Sequence, residues 1–226
     1  MKRTSIFLGI VAALTITSCS TTRYISKDTS IANVGPVALV QPLCEQYYIG
    51  ADGKTVYDAE LTAESSKMID QIVSNISPVV NTQYLIPVEY SEANMDLQRA
   101  ISSISSVQVP KLSKATVPEC VKDILRENGY RYGAVLFAAG LTRDRKEYRK
   151  EVGKGVAEAV LTTVLTLGMA TAYSMPNKYI SNIYLMIVDA EADKVLYYKK
   201  SEPGTSDPFN VETVWKQVND LVKDIK

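Results

Sequence analysis

The chain has no histidine among its 226 residues. That single absence removes the commonest general base, the commonest transition-metal ligand and every Ser-His or Cys-His nucleophile pair. Cysteine is scarce as well, with three in all, so zinc and copper lack a ligand set and no cofactor is expected. Charge of one sign is also missing: 25 Lys+Arg stand against 25 Asp+Glu, for a formal net charge of zero. A nucleic-acid binder driven by phosphate charge needs a basic surplus, so nucleic acid is not an expected partner. Phosphate-loop and nucleophile-elbow grammar is absent too. Gly153-Lys-Gly155 lacks the third glycine, which is Glu158 here, and no G-x-S-x-G occurs. Asp189, Glu191 and Asp193 lack the following glycine and distal glutamate of a calcium loop. What is present is ordinary for a globular chain, with 46% hydrophobic and 22% charged residues. Wholesale disorder and a polytopic membrane protein are both disfavoured by that balance.

Residues 1–19, MKRTSIFLGIVAALTITSC, begin with Lys2 and Arg3, continue through an apolar stretch from Ile6 to Ile16, and end in small residues before a cysteine. This is the layout of a secretory signal, and the apolar stretch falls short of the about 20 residues that a bilayer-spanning helix needs. Ile16-Thr17-Ser18-Cys19 resembles the lipobox of bacterial lipoproteins. The resemblance implies cleavage after residue 18 and attachment of a diacylglyceryl group to Cys19, whose acyl chains would each contribute about 0.8 kcal/mol per buried methylene. Ser20 after the cysteine resembles the sorting position of outer-membrane lipoproteins, so an outer-membrane anchor is expected, with the facing left open. Without the signal, 23 basic residues face 25 acidic ones. Residues 20–36, STTRYISKDTSIANVGP, have no periodicity, so 19–36 reads as a lipidated cysteine and flexible tether, and 37–226 as one domain.

Along that domain, Val37–Gln41 is a short apolar run closed by Pro42, the form of a buried strand. Asp52-Gly53 between half-apolar runs at 43–48 and 55–57 is a hairpin signal. Leu61, Met68, Ile69, Ile72, Val73 and Ile76 recur at helical spacing until Pro78. Residues 82–86 read as a strand, 91–104 as a helix and 106–115 as a linker. Thr116-Val-Pro-Glu119 has the form of a capping box opening a helix that Gly129 closes. Tyr132–Gly140 is a continuous apolar run suited to a central strand; Tyr179–Asp189 and Lys194–Lys200 form a second hairpin. Val211, Val214, Trp215, Val218, Leu221, Val222 and Ile225 mark a last amphipathic helix. Strands alternating with helices predict an α/β (mixed α+β) fold, a single mixed β-sheet flanked by helices.

An unusual insertion, 142–178, separates two of the core strands. Its first part is almost all charge, with Arg143, Arg145, Lys146, Arg149 and Lys150 against Asp144, Glu147 and Glu151. Its second part carries an apolar stripe of Val156, Val160, Val164 and Leu167 at helical spacing, with Glu158, Thr162 and Thr166 opposite. Three readings compete: a crossover helix over the sheet with a solvated lead-in, a helix at the bilayer with Arg and Lys at the headgroups, and a self-association surface. Arg143, Arg145, Arg149, Val156, Val160, Val164 and Leu167 are accordingly the candidate membrane or partner contacts. Cys44 and Cys120 are either two buried thiols or a disulfide, since spacing does not decide. Fourteen tyrosines against three phenylalanines suit a stacking platform or the rim of a sheet.

The carboxyl half resembles envelope lipoproteins of the curli-secretion family and the penicillin-binding-protein activator lipoproteins. The likeness lies in Glu127-Asn-Gly129, Tyr132-Gly-Ala-Val-Leu-Phe137, and Ile183-Tyr-Leu-Met-Ile-Val-Asp-Ala190 followed by Lys194-Val-Leu-Tyr197, and covers about residues 117–200. The family's Asp is missing from Gly129–Leu136, and Ala192-Asp193 replaces its Thr-Gly. The resemblance implies a small mixed sheet with helices, and it places 142–178 where curli-type secretors grow a membrane hairpin. A pore strand alternates apolar and polar residues, whereas this stretch has helical spacing. The reading is a non-enzymatic, lipid-anchored envelope protein, an accessory or assembly component acting through protein contacts, either with a partner or as a homo-oligomer. Two alternatives stand: an oligomeric secretion-channel component whose insertion meets the membrane, and a carboxylate-based cell-wall or sugar-active enzyme.

Overall fold

The computed structural model describes residues 23–27, 31, 34–52, 54–76, 82–86, 109–144, 178–201 and 207–225. They form one mixed sheet of eight strands: β1 (Arg23–Ile25), β2 (Val37–Val40), β3 (Leu43–Ile49), β4 (Thr55–Tyr57), β5 (Thr82–Ile86), β6 (Tyr132–Arg143), β7 (Tyr179–Asp189) and β8 (Lys194–Lys200). Helices α1 (Ala59–Ile76), α2 (Glu119–Glu127) and α3 (Val211–Val222), with a 3-10 helix over Val109–Lys114, flank it. The mixed α/β class is the one that the alternation of elements predicts.

β6 organises the sheet. From Gly133 to Leu141 it carries no charged side chain, so both of its faces can be covered, and every residue in that stretch is buried. β7 runs antiparallel along it from Tyr132↔Asp189 to Thr142↔Tyr179. Its other side pairs with two strands in succession: β2 lies parallel to Tyr132–Ala134 and β3 parallel to Phe137–Arg143. Pro42, which has no N–H to donate, stands at the break between them. Outward, β5 continues parallel to β2 and β4 antiparallel to β3, while β8 and then β1 extend the opposite edge.

The core has two layers. On one face Leu39, Leu136, Ile187 and Leu196 meet Ile69 and Ile72 of α1 and Val214, Val218 and Leu221 of α3. On the other, Val135, Tyr184 and Val188 share a core with Val121 and Leu125 of α2 and with Leu112 of the 3-10 helix. A Cβ on Gly133 would lie 2.6 Å from Leu125 Cδ2, so this glycine lets α2 pack down on β6. Burying Leu125 completely is worth about 1.5–3 kcal/mol.

Several expectations are corrected. Arg23–Ile25, inside the stretch read as tether, is an edge strand, because the exposed side of β8 accepts its backbone. The linker reading of 106–115 gives way over its second half to the 3-10 helix, anchored by fully buried Leu112. The capping box does not cap: Pro118 is the N-cap residue of α2, with no side-chain cap bond, and Val117 N–H donates instead to Asp193 Oδ1 at 2.9 Å. Gly129 does close α2, at φ 74°, with Tyr130 N–H donating to Leu125 O and Gly129 N–H to Arg126 O. β6 and β7, which the 142–178 segment joins, are adjacent and antiparallel, so it is not a parallel crossover; residues 145–177, on which the covering-helix, bilayer and self-association readings rest, lie outside the described residues. The helix expected at 91–104 lies outside the described residues.

Candidate functional site

The connection between β6 and β7 leaves the sheet and returns to it at one point. β6 continues two residues into the segment read as insertion. Arg143 N–H then donates to Lys178 O at 3.0 Å, and Asp144 N–H to Ile49 O at 2.8 Å. The described ends of the insertion are therefore stitched to each other and to β3. Tyr48 Oη donates to Asp144 Oδ2 at 3.4 Å. Lys178 Nζ donates to Tyr179 Oη at 2.5 Å and sits 4.3 Å from the centroid of that ring. The β3–β4 turn at Gly50–Lys54 occupies the same end of the sheet, because Ile49 is level with Arg143.

Arg143, one of the candidate membrane or partner contacts, is buried as the last residue of β6. Cys19, Arg145, Arg149, Val156, Val160, Val164 and Leu167 lie outside the described residues. Cys44 and Cys120 are free thiols. They belong to opposite faces of the sheet, Cys44 beneath α1 and Cys120 beside the α2 layer, so the sheet itself keeps them from bridging. Burial pushes the Cys44 thiol up to about 11, against the opposing effect of Ser66 and Ser65.

The charged side chains of the described residues work as ties between elements. Arg131 forks onto Asp189, with Nε 3.1 Å from both carboxylate oxygens and Nη2 2.8 Å from Oδ2. Burial opposes ionisation of Asp189, but that fork and the N–H groups of Ala192 and Glu191 hold its carboxyl below the usual carboxylate range. Asp193, the one non-glycine residue at positive φ among those described, joins the β7–β8 turn to α2 through Val117 N–H and through Lys122 Nζ at 3.3 Å.

At the opposite edge Lys199 is buried and points at the end of α3. Its Nζ lies 2.8 Å from Asp224 Oδ2 and 3.1 Å from Asp220 Oδ2, and donates to Asp220 O at 2.5 Å. Arg23 Nη1 closes the cluster, 3.0 Å from Asp224 Oδ1. The hydrogen bond from Lys199 is the main cause that holds Asp224 below the usual range. Asp220 is lowered too, because Lys223 and Lys199 outweigh its burial. Sequence reasoning missed this four-residue cluster, and no local spacing signals it. Lys200, the next residue, faces the α2 side, buried, 5.4 Å from the centroid of Tyr184; burial pushes its ammonium below the usual lysine range.

Among the described residues no group of three or more Cys, Asp or Glu is placed to hold a metal ion, and no helix is long and apolar enough to cross a membrane. No protein-family model matches the chain, and no curated protein does. Solved structures offer distant likenesses. A PelC variant from Paraburkholderia phytofirmans, solved as a dodecamer, is 7% identical. That match covers 91% of this chain and 98% of the other, at a TM-score of 0.38. The C-terminal domain of LpoB from Salmonella enterica is 9% identical, with 77% and 87% covered and a TM-score of 0.29.

Proposed function

We propose that the protein is a lipid-anchored component of the cell envelope, acting without catalysis as an accessory or assembly element through protein contacts. The observation that carries this reading is the short distance between anchor and fold. Cys19 of the lipobox-like sequence is followed only by residues 20–22 before Arg23 enters the sheet. An acylated Cys19 would hold a folded domain at the membrane surface. The use of charge supports the reading further: Arg131, Asp189, Lys199, Asp220 and Asp224 are each engaged in joining one element to another.

The test has two parts. Purified protein is expected to carry a diacylglyceryl-sized or larger mass increment that Cys19→Ala abolishes; a lipid-sized increment persisting on the variant overturns the anchor. Light scattering of the detergent-extracted protein, corrected for bound detergent, is expected to give a monomer or dimer. A closed ring of many copies overturns the accessory reading in favour of an oligomeric secretion component.

A further inference from the structure

We infer that the end of the sheet where β6 gives way to the connection with β7 is the face applied to the lipid bilayer, with Trp215 at the membrane interface. This rests on the acyl anchor proposed at Cys19.

Chain direction is the first ground. β1 is antiparallel to β8, and β8 is antiparallel to β7, so β1 and β7 run the same way and start from the same end. Arg23 is level with Lys199 and through it with Leu185, so β1 points back from Arg23 toward the level of Tyr179, six strand residues or about 20 Å further on. Four Cα steps separate Arg23 from Cys19, a reach of at most about 14 Å. So short a link restricts which face of the domain can meet the membrane.

The distribution of exposed apolar side chains is the second ground. Five large ones are exposed among the described residues: Ile25, Val56, Tyr57, Val211 and Trp215. Val56 and Tyr57 belong to β4, which pairs with the last residues of β3 beside Arg143. Val211 and Trp215 lie in the first half of α3. That helix starts at the same end, since Gln217 bonds Ser181 near the start of β7 while Asp224 reaches back to Lys199. Ile25 lies on β1 itself.

The opposite end is polar: around the β7–β8 turn, the exposed parts of Glu119, Asp123, Arg126, Arg131 and Glu191 are paired with each other and with Lys122 and Asp189. Four of the five exposed large apolar side chains thus lie toward one end of the sheet, beside the exposed pairs Lys54–Asp52 and Lys216–Glu212, while Ile25 is level with Ile187 and the β7–β8 turn end is lined by ion pairs. Tryptophan and tyrosine are the side chains that collect at headgroup level, where the ring is buried and its polar edge stays wet.

Trp215 is the only tryptophan in the chain and serves as its own reporter. The lipidated protein is reconstituted into phosphatidylcholine vesicles brominated on the acyl chain near the headgroup, and into unbrominated ones, with flotation confirming attachment. The expected result is about twofold quenching of Trp215 with a blue shift, as for an indole at the interface. A reporter moved to the other end, Trp215→Phe with Glu191→Trp, is expected to stay unquenched. Attached, acylated protein with Trp215 unquenched overturns the orientation while leaving the anchor standing, and the apolar end then faces a protein. Equal quenching of both reporters also overturns it. Loss of both the acyl mass and flotation overturns the anchor reading, and the orientation with it.

Discussion

Arg23, the first residue of the sheet, sets its guanidinium 3.0 Å from the carboxylate of Asp224, just past the end of α3. Lys199 lies on the other side of that carboxylate, so an edge strand near the amino terminus and a helix near the carboxyl terminus are held together over one buried ammonium. Removing the shared carboxylate leaves Lys199 short of a partner. Asp224→Asn is expected to lower stability at pH 7 by about 1–2 kcal/mol, less than for a fully buried pair because Arg23 is half exposed. Amide exchange of Tyr24 to Ser26 is expected to accelerate with it. The sign with pH follows from lowered carboxyls: the stabilisation is complete above the unfolded value near 3.9 and is lost as pH falls through the lower folded value. Denaturant melts at pH 7 and about pH 2.5 should therefore show the difference between variant and parent shrinking toward zero in acid.

Gly140 is opposite Gln46 in the β3–β6 register, and a Cβ on it would fall onto the Gln46 amide. Gln46 has little freedom to yield, since its Nε2 donates to Ser65 Oγ at 2.9 Å and its backbone N–H to Thr62 Oγ1 at 3.0 Å. Gly140→Ala is expected to cost about 2 kcal/mol in the parent and under about 0.5 kcal/mol in a Gln46→Ala background. A double-mutant cycle of urea melts measures the difference; equal costs in both backgrounds would remove the steric explanation.

Lys200 is buried against Tyr184 and its charged form is disfavoured by that burial. Lys200→Met is expected to raise stability at pH 7 by about 1 kcal/mol. Because a lowered lysine is destabilising only while protonated, the gain should shrink as pH rises toward the unfolded value of about 10.4. Thermal melts at pH 7 and pH 10 compare the two, and a gain that grows with pH would contradict the assignment.

Cys44 and Cys120 differ in access, one buried beneath α1 and the other partly exposed. At pH 8 a thiol reagent is expected to modify Cys120 first and to leave Cys44 unreacted until the protein unfolds, since burial raises the Cys44 thiol to about 11. Titration in denaturant without reductant should then count both thiols. A count of zero for this pair would mean that they are bridged after all.

Much of the architecture is legible from local pattern. The uncharged run of β6 announces a strand covered on both faces, the stripe from Val214 to Val222 announces α3, and Gly129 marks the stop of α2. Each of these signals is carried within about ten residues, which is the range over which a strand or helix repeats. Asp193 shows where the pattern misleads. It occupies the left-handed position of the β7–β8 turn, at φ 54°, where glycine is the least strained residue. What the aspartate adds is a carboxylate that binds the Val117 N–H, 76 positions away, so the helix that begins with a capping-box sequence is tied down by a turn it does not adjoin.

By itself the sequence determined most of the described strands and helices, the sides of them that are apolar, the poverty of ligands for metals, and the expectation of an export signal with a lipidated cysteine. Tertiary structure alone decided that Arg23–Ile25 joins the sheet, that Arg143 is buried at the end of a strand while belonging to a charged run, that the two thiols face opposite layers, and that the 142–178 segment departs and returns between antiparallel neighbours. The physical reason is range. Periodicity is a property of neighbours along the chain, whereas strand order, register and the meeting of Arg23, Lys199 and Asp224 arise from residues brought together only when the two cores close on either face of the sheet.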